Sequence, residues 1–296
     1  MSSNYKYLPS QLADCLRNMR ITAPRPVRGS IEGLHRSMDY GSSVEFAEYR
    51  EYTPGDPINL IDWPVYARSD KYMIRRFYEE TNLRAYILLD TSKSLAFRDM
   101  GLISKMEYAL FLAAGLMYIL INQGDSVGLM TFDKKILKIF EPVSTFEGIR
   151  PVLLELEGII PSGESDIAAV IHQSAELIQS KSLIVVISDL LQDVAEIIRG
   201  IRHLYHCGHN IMVFHVMDRG EMQLSFGGVA EFRDIETSTR MVVEIDEIKD
   251  AYESAVKEYL NELRTECTEC LVDYRLIDTK IPVEELLTQK VGYSSI

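Results

Sequence analysis

RAYILLDTSKS, residues 84–94, and SLIVVISDLL, residues 182–191, are the stretches from which the fold is read. Each holds a continuously apolar run rich in branched side chains, YILL at 86–89 and LIVVI at 183–187, with no alternation of apolar and polar positions. A strand with one solvated face alternates, whereas a strand covered on both faces does not, so both read as parallel strands between layers of helix. IMVFHV at 211–216 reads the same way. Helical spacing fills the intervals, at about 104–122, 146–157, 165–179 and 247–264, with another helix opening at Asp193-x-x-Glu196. Ser104 and Glu107 form a capping box at the start of the first of these. Strands at 125–132 and 135–140 flank a turn at Asp133-Lys134-Lys135, LVDYRLID at 271–278 is a last strand, and the stretch from 219 to about 244 reads as less regular. Strands alternating with helices of this length predict an open, doubly wound, mostly parallel α/β sheet.

Ahead of that pattern, residues 4–19 carry Leu8, Leu12, Cys15, Leu16 and Met19 at helical spacing, and 22–33 is a loop rich in Pro, Arg and Gly. Residues 1–80 are therefore expected to form an N-terminal appendage to an α/β domain spanning 81–296. Hydrophobic content of 47% and charged content of 25% over 296 residues are ordinary for a chain that buries a core. A net charge of −13 opposes binding to nucleic-acid backbones and to anionic membrane surfaces. The N-terminus has no apolar signal core, and no stretch reads as the roughly 18 consecutive apolar residues that cross a bilayer, so a soluble, cytoplasmic protein is expected. Four cysteines are too few for a disulfide scaffold and are expected reduced.

Sites in such a sheet gather at the carboxyl ends of the strands, where strand order reverses. Asp90 and Asp189 each end a strand there, Ser92 and Ser94 follow the first at alternate positions, and Ser165 starts a helix on the same side. Two carboxylates and three hydroxyls, with no nitrogen or sulfur, suit a hard cation such as Mg²⁺, Mn²⁺ or Ca²⁺ rather than zinc. The same aspartates and serines could instead be helix caps and turn residues, where those types are common.

D-x-S-x-S at Asp90, Ser92 and Ser94, then a hydroxyl in a later loop, then an aspartate ending a later strand, resembles the metal-ion-dependent adhesion site of von Willebrand factor A domains. Ser165 stands where those domains usually have threonine, and Asp189 matches the last aspartate. The resemblance implies a von Willebrand factor A (Rossmann-like) fold in which these five residues hold Mg²⁺, Mn²⁺ or Ca²⁺. It also implies a coordination position left open for an acidic residue of a protein partner.

VEFAEYREYTPGDPINLIDWPVYAR, followed by RRFYEE, resembles the signature of the bacterial domain-of-unknown-function family fifty-eight. The matching residues are Glu45, Phe46, Arg50, Tyr52, Pro54, Gly55, Asp56, Ile61, Asp62, Trp63, Ala67, Arg68, Glu79 and Glu80, with Asn59 departing where the family often has arginine. FRDIETS and DTKIPVEELL also look like that family's later segments, so the resemblance runs over about 40–290. Many members carry membrane spans, which are not carried over here. Members commonly accompany AAA+ ATPases of the MoxR type, which makes such an ATPase the first partner implied. Taken by themselves, Asp62, Trp63, Arg68, Arg75, Arg76, Glu79 and Glu80 also read as an ion-pair lattice bracing a sheet, because guanidinium and carboxylate pair in a bidentate way.

His203, His206 and His209 have a spacing open to zinc, but the first two also suit the last turn of a helix ended by Gly208. Cys267-x-x-Cys270 has redox spacing but follows a helix rather than opening one. Met106 to Met117 is core packing, and no phosphate-binding glycine loop follows any strand. The function expected is a metal-dependent protein-interaction module and not an enzyme. The alternatives are a metal-dependent hydrolase using the same Asp/Ser site, with Asp189 or Asp166 as base, and a structural subunit whose metal site stays empty.

Overall fold

The computed structural model describes residues 5–21, 35–40, 46–54, 56, 58–224, 227–233 and 240–288. The chain divides into one unit of Met1–Pro24 with Arg84–Ile296 and a second of Arg25–Leu83. In chain order the elements are α1 (Ser10–Leu16), β1 (His35–Tyr40), β2 (Phe46–Glu51), α2 (Trp63–Ser69), β3 (Met73–Thr81), β4 (Arg84–Asp90), α3 (Lys105–Asn122), β5 (Ser126–Phe132), β6 (Ile136–Val143), α4 (Phe146–Glu157) and α5 (Ile167–Leu177). They continue as β7 (Leu183–Ser188), α6 (Val194–His206), β8 (Asn210–Met217), α7 (Arg219–Met222), β9 (Val229–Arg233), β10 (Arg240–Glu244), α8 (Ile245–Glu269), β11 (Asp273–Asp278) and α9 (Val283–Leu286).

The sheet of the larger unit has the order β11-β8-β7-β4-β5-β6. β11, β8, β7, β4 and β5 run parallel, and β6 returns antiparallel to β5. This is the doubly wound, mostly parallel sheet that the apolar runs predict. The chain leaves β4 to build β5 on one side and comes back to build β7 on the other, so order reverses at β4. That reversal opens a crevice at the carboxyl ends of β4 and β7.

Alternate residues of the central strands face opposite layers. Tyr86, Leu88, Met130, Phe132, Ile184, Val186 and Val213 pack in one core with Val170 and Ile171 of α5, Ile197 and Ile201 of α6, and Leu263 of α8. The intervening Ile87, Leu89, Leu129, Val185 and Ile187 are fully buried on the other face, where α3 crosses β4, β5, β7 and β8. α3 is itself covered by α1, α4 and α9. At Gly115 of α3 a Cβ would lie 2.6 Å from Leu287 Cδ1 and 3.2 Å from Leu16 Cδ1, so any larger residue there would force those leucine side chains to shift.

Several sequence expectations are corrected. α3 does reach the length and composition of a membrane span, with 18 residues at a mean hydropathy of 1.2, and 78% of that stretch is buried. Its apolar character is the signature of a core helix wrapped on every side. The first helix is shorter than 4–19: Pro9 is its N-cap, Tyr5 bridges to Leu8, and Cys15 is exposed while Leu8, Leu12 and Leu16 are buried. Those leucines pack α1 with α3, so the first residues cluster with the larger unit rather than with 25–83. Part of the stretch read as irregular forms the antiparallel pair β9–β10. The helix read as 247–264 runs from Ile245 to Glu269 and contains Cys267.

The smaller unit is a three-stranded antiparallel sheet in the order β1-β3-β2, with α2 between β2 and β3. The side chains of Glu45, Phe46, Gly55, Arg75, Arg76, Glu79 and Glu80 lie outside what the structure describes.

Candidate metal centre

Asp90 is the last residue of β4 and Asp189 the first after β7, neighbouring parallel strands whose register pairs Leu89 with Ile187. Both side chains are buried, Asp189 at 1% exposure and Asp90 at 0%. Asp90 Oδ1 accepts from the backbone N–H of Ser92 at 2.9 Å. Its Oδ2 accepts from the hydroxyls of Ser165 at 2.9 Å and Ser188 at 2.7 Å. Ser92 Oγ and Ser94 Oγ lie 3.0 Å apart. The structure thus brings Asp90, Ser92, Ser94 and Ser165 into one connected group, with Asp189 beside it.

The loops are tied by their backbones. Lys93 N–H donates to Gly163 O at 3.1 Å, Ser162 N–H to Thr91 O at 2.9 Å, and Thr91 N–H to Phe132 O at 2.8 Å. Gly163 has φ +77, a left-handed turn that lets the loop before Ser165 fold back over the Asp90 loop. Asp166 caps α5 by accepting from Ala169 N–H and also accepts from Gln192 Nε2, so this carboxylate is already engaged.

Burial, and then the Asp189 charge, push the Asp90 carboxyl up to about 6, against the hydrogen bonds from Ser188 and Ser92. Asp189 Oδ2 accepts from Lys105 Nζ at 2.8 Å, and Lys105 Nζ also donates to Glu221 Oε1 at 2.6 Å. Asp189 Oδ1 is buried and has no hydrogen-bond partner among the described residues. Asp90, Asp189 and Glu221 set against Lys105 leave an excess of two negative charges once Asp90 ionises. An unsatisfied buried carboxylate oxygen in a cluster that also holds the hydroxyls of Ser92, Ser94, Ser165 and Ser188, and that is short of two positive charges, fits a divalent hard cation. Among the described residues no group of three or more His, Cys, Asp or Glu is placed to hold a metal, so any centre here depends on the serine hydroxyls.

Sequence reasoning missed Ser188, Lys105 and Glu221. Ser188 is the one hydroxyl closing the apolar run of β7, a signal that was available. Lys105 follows the Ser104 cap and reads as a solvated first-turn residue, yet it is 1% exposed. His215, on β8, is also buried; burial pushes it down to about 4 despite the Asp189 charge, and its Nδ1 lies 2.7 Å from Tyr274 Oη. Leu190, next to Asp189, takes φ +50, and Tyr259 Oη donates to its carbonyl.

Elsewhere the predicted groups separate. Asp62 caps α2 by accepting from Val65 N–H at 3.2 Å and accepts from Tyr49 Oη at 2.9 Å. Among the described residues Arg68 joins no ion pair: it is exposed and its Nε donates to Pro64 O, because α2 turns it outward, while Arg75, Arg76, Glu79 and Glu80 of that lattice lie outside the described side chains. Trp63 is also exposed. Among the described residues of this unit an ion pair forms between Arg50 and Asp56 at 2.7 Å, supported by Thr53. His203 and His206 lie in the last turn of α6, and Gly208 follows at φ +87, whereas His209 is buried and accepts from Ser182 N–H. Burial pushes the Cys267 thiol up to about 12, far from a reactive thiolate.

Residues 48–262 match the family described as Protein of unknown function DUF58, and the chain belongs to that family. An uncharacterised protein of Mycobacterium tuberculosis, Rv1480, is 24% identical over 240 residues, covering 80% of this chain and 74% of its own length, and Mb1516 of Mycobacterium bovis has the same values. Among solved structures, an aerotolerance-related membrane protein from Bacteroides fragilis aligns at 18% identity with a TM-score of 0.47, over 71% of this chain and 98% of that one. BatB from Bacteroides thetaiotaomicron aligns at 17% and 0.46, over 70% and 96%. The SpRpn10 VWA domain aligns at 12% and 0.44, over 73% and 100%.

Proposed function

We propose that this DUF58 protein is a cytoplasmic protein-interaction module of the von Willebrand factor A kind, which captures an acidic side chain of a partner through a divalent cation. Asp90, Ser92, Ser94, Ser165 and Asp189 would hold the ion, Mg²⁺ first and Mn²⁺ or Ca²⁺ as substitutes. When bound, the ion supplies a hard Lewis acid that accepts an external carboxylate oxygen. The observation that carries the proposal is the meeting of Asp90 with Ser165, residues 75 apart in sequence, next to the unpartnered oxygen of Asp189.

The chain's own groups favour binding over hydrolysis. A hydrolase needs a free base beside its nucleophile. Asp166 Oδ1 accepts from Ala169 N–H and Gln192 Nε2, Asp189 Oδ2 is held by Lys105, and the remaining Asp189 oxygen would itself be a ligand of the ion rather than a base. The partner proposed first is a MoxR-type AAA+ ATPase, on the family resemblance, with this chain acting in assembly or regulation of a protein complex.

Affinity capture of such an ATPase with Mg²⁺, repeated with chelator and with Asp90→Ala, tests the proposal. Capture should be lost in both, with the far-ultraviolet circular dichroism of the variant unchanged. Capture that persists in chelator and in Asp90→Ala would rule out an ion-bridged contact.

A further inference from the structure

Lys105 occupies an unfavourable place for a cation. It is the first residue of α3, where the helix dipole repels positive charge, and its side chain is 1% exposed. Its ammonium is held by Asp189 Oδ2 at 2.8 Å and Glu221 Oε1 at 2.6 Å, with the Phe97 ring centroid 5.7 Å away. Glu221 is itself fixed: its Oε2 accepts from Asp218 N–H in the α7 capping box, and its backbone carbonyl accepts from Tyr252 Oη at 2.7 Å. The Asp218 carboxylate in turn accepts from the backbone N–H groups of Asp99, Met100 and Gly101, so the Asp90 loop is tied to the same network. For Lys105 to swing away from Asp189 it must also give up its bond to the anchored Glu221.

We infer that Lys105 is a positioning residue that limits Asp189 to a single free oxygen, Oδ1, and thereby biases the site toward Mg²⁺ and against Ca²⁺. The inference rests on the metal-centre reading above and deepens it. Ca²⁺ gathers six to eight oxygens and commonly takes both oxygens of a carboxylate, whereas Mg²⁺ accepts single oxygens in a tight octahedron and keeps its waters. With Oδ2 bound to Lys105, Asp189 has no second oxygen to offer. The lysine charge also lowers the affinity of every cation, but that effect is common to Mg²⁺ and Ca²⁺ and cancels in their ratio.

Calorimetric titration of Mg²⁺ and of Ca²⁺ into wild type, Lys105→Met and Glu221→Gln tests this. The ratio of Ca²⁺ to Mg²⁺ affinity should rise by about tenfold or more in Lys105→Met, as Asp189 becomes free to bind through both oxygens. It should stay within about twofold of wild type in Glu221→Gln, where Lys105 still holds Asp189. If Lys105→Met does not fold, Lys105→Met/Glu221→Gln, which leaves no stranded charge on residue 221, should show the same rise. An unchanged ratio in the lysine variants, or an equal rise in Glu221→Gln alone, overturns the positioning role while leaving the metal centre standing. A wild-type protein that binds neither ion overturns both.

Discussion

Asp90 in the larger unit and Asp56 in the smaller each accept three hydrogen bonds, yet their surroundings push them in opposite directions. Asp56 receives the backbone N–H of Thr53, the Arg50 guanidinium and the Thr53 hydroxyl, which together hold its carboxyl down at about 2. Asp90 is buried beside Asp189, receives only neutral donors, and is pushed up to about 6. The first carboxylate has its counter-charge within the chain and serves the turn that contains it. The second is left wanting a cation, and that want marks a site where hydrogen-bond counts alone do not.

The contrast is sharpened or broken by substitutions, taken from the largest effect down. Lys105→Met strands the buried Asp189 and the partly buried Glu221 and should destabilise the metal-free protein by about 3–5 kcal/mol in urea unfolding; a loss below about 1 kcal/mol would mean the lysine is not holding Asp189. Asp90→Asn should work the other way, stabilising the metal-free protein at neutral pH by up to about 3 kcal/mol while removing divalent-ion binding. Because the folded-state value is raised, wild type loses stability relative to this variant as pH climbs from 3.8 through about 6, so the gain should vanish below pH 3.8. A variant less stable than wild type at pH 7 would show that Asp90 already has its counter-charge. Asp62→Ala should cost about 1 kcal/mol through loss of the α2 cap, read in the same unfolding assay. Asp56→Asn should have the smallest effect and destabilise, opposite in sign to Asp90→Asn. Its value is depressed, so the contribution it removes is present above pH 3.8 and fades as pH falls toward about 2.

The parts of the molecule governed by local rules were legible in sequence. The Ser104–Glu107 box starts α3, Asp193 caps α6, and α4 spans 146–157 as its apolar period indicates. Asp90, Ser92, Ser94 and Ser165 could be placed together because strand ends in a doubly wound sheet share one rim. What escaped depends on contacts distant in sequence. The burial of Lys105 is decided by Asp189 and Glu221, 84 and 116 residues away, and nothing in KMEYAL announces it. In sequence α3 does not stand out as long and apolar enough to cross a bilayer, because Lys105 and Glu107 break its first turn, although most of the rest is core. The sequence leaves open what the early leucines pack against, because spacing identifies an apolar face without naming the surface it meets; they group with the larger unit.

The central claim is most directly tested by Mn²⁺ titration followed by electron paramagnetic resonance at pH 7.5, comparing wild type with Asp90→Asn. One saturable Mn²⁺ per chain, displaced by Mg²⁺ and absent from the folded variant, is the outcome the account predicts. Wild-type protein that leaves the Mn²⁺ signal unchanged, or a variant that takes up the ion equally well, would contradict it.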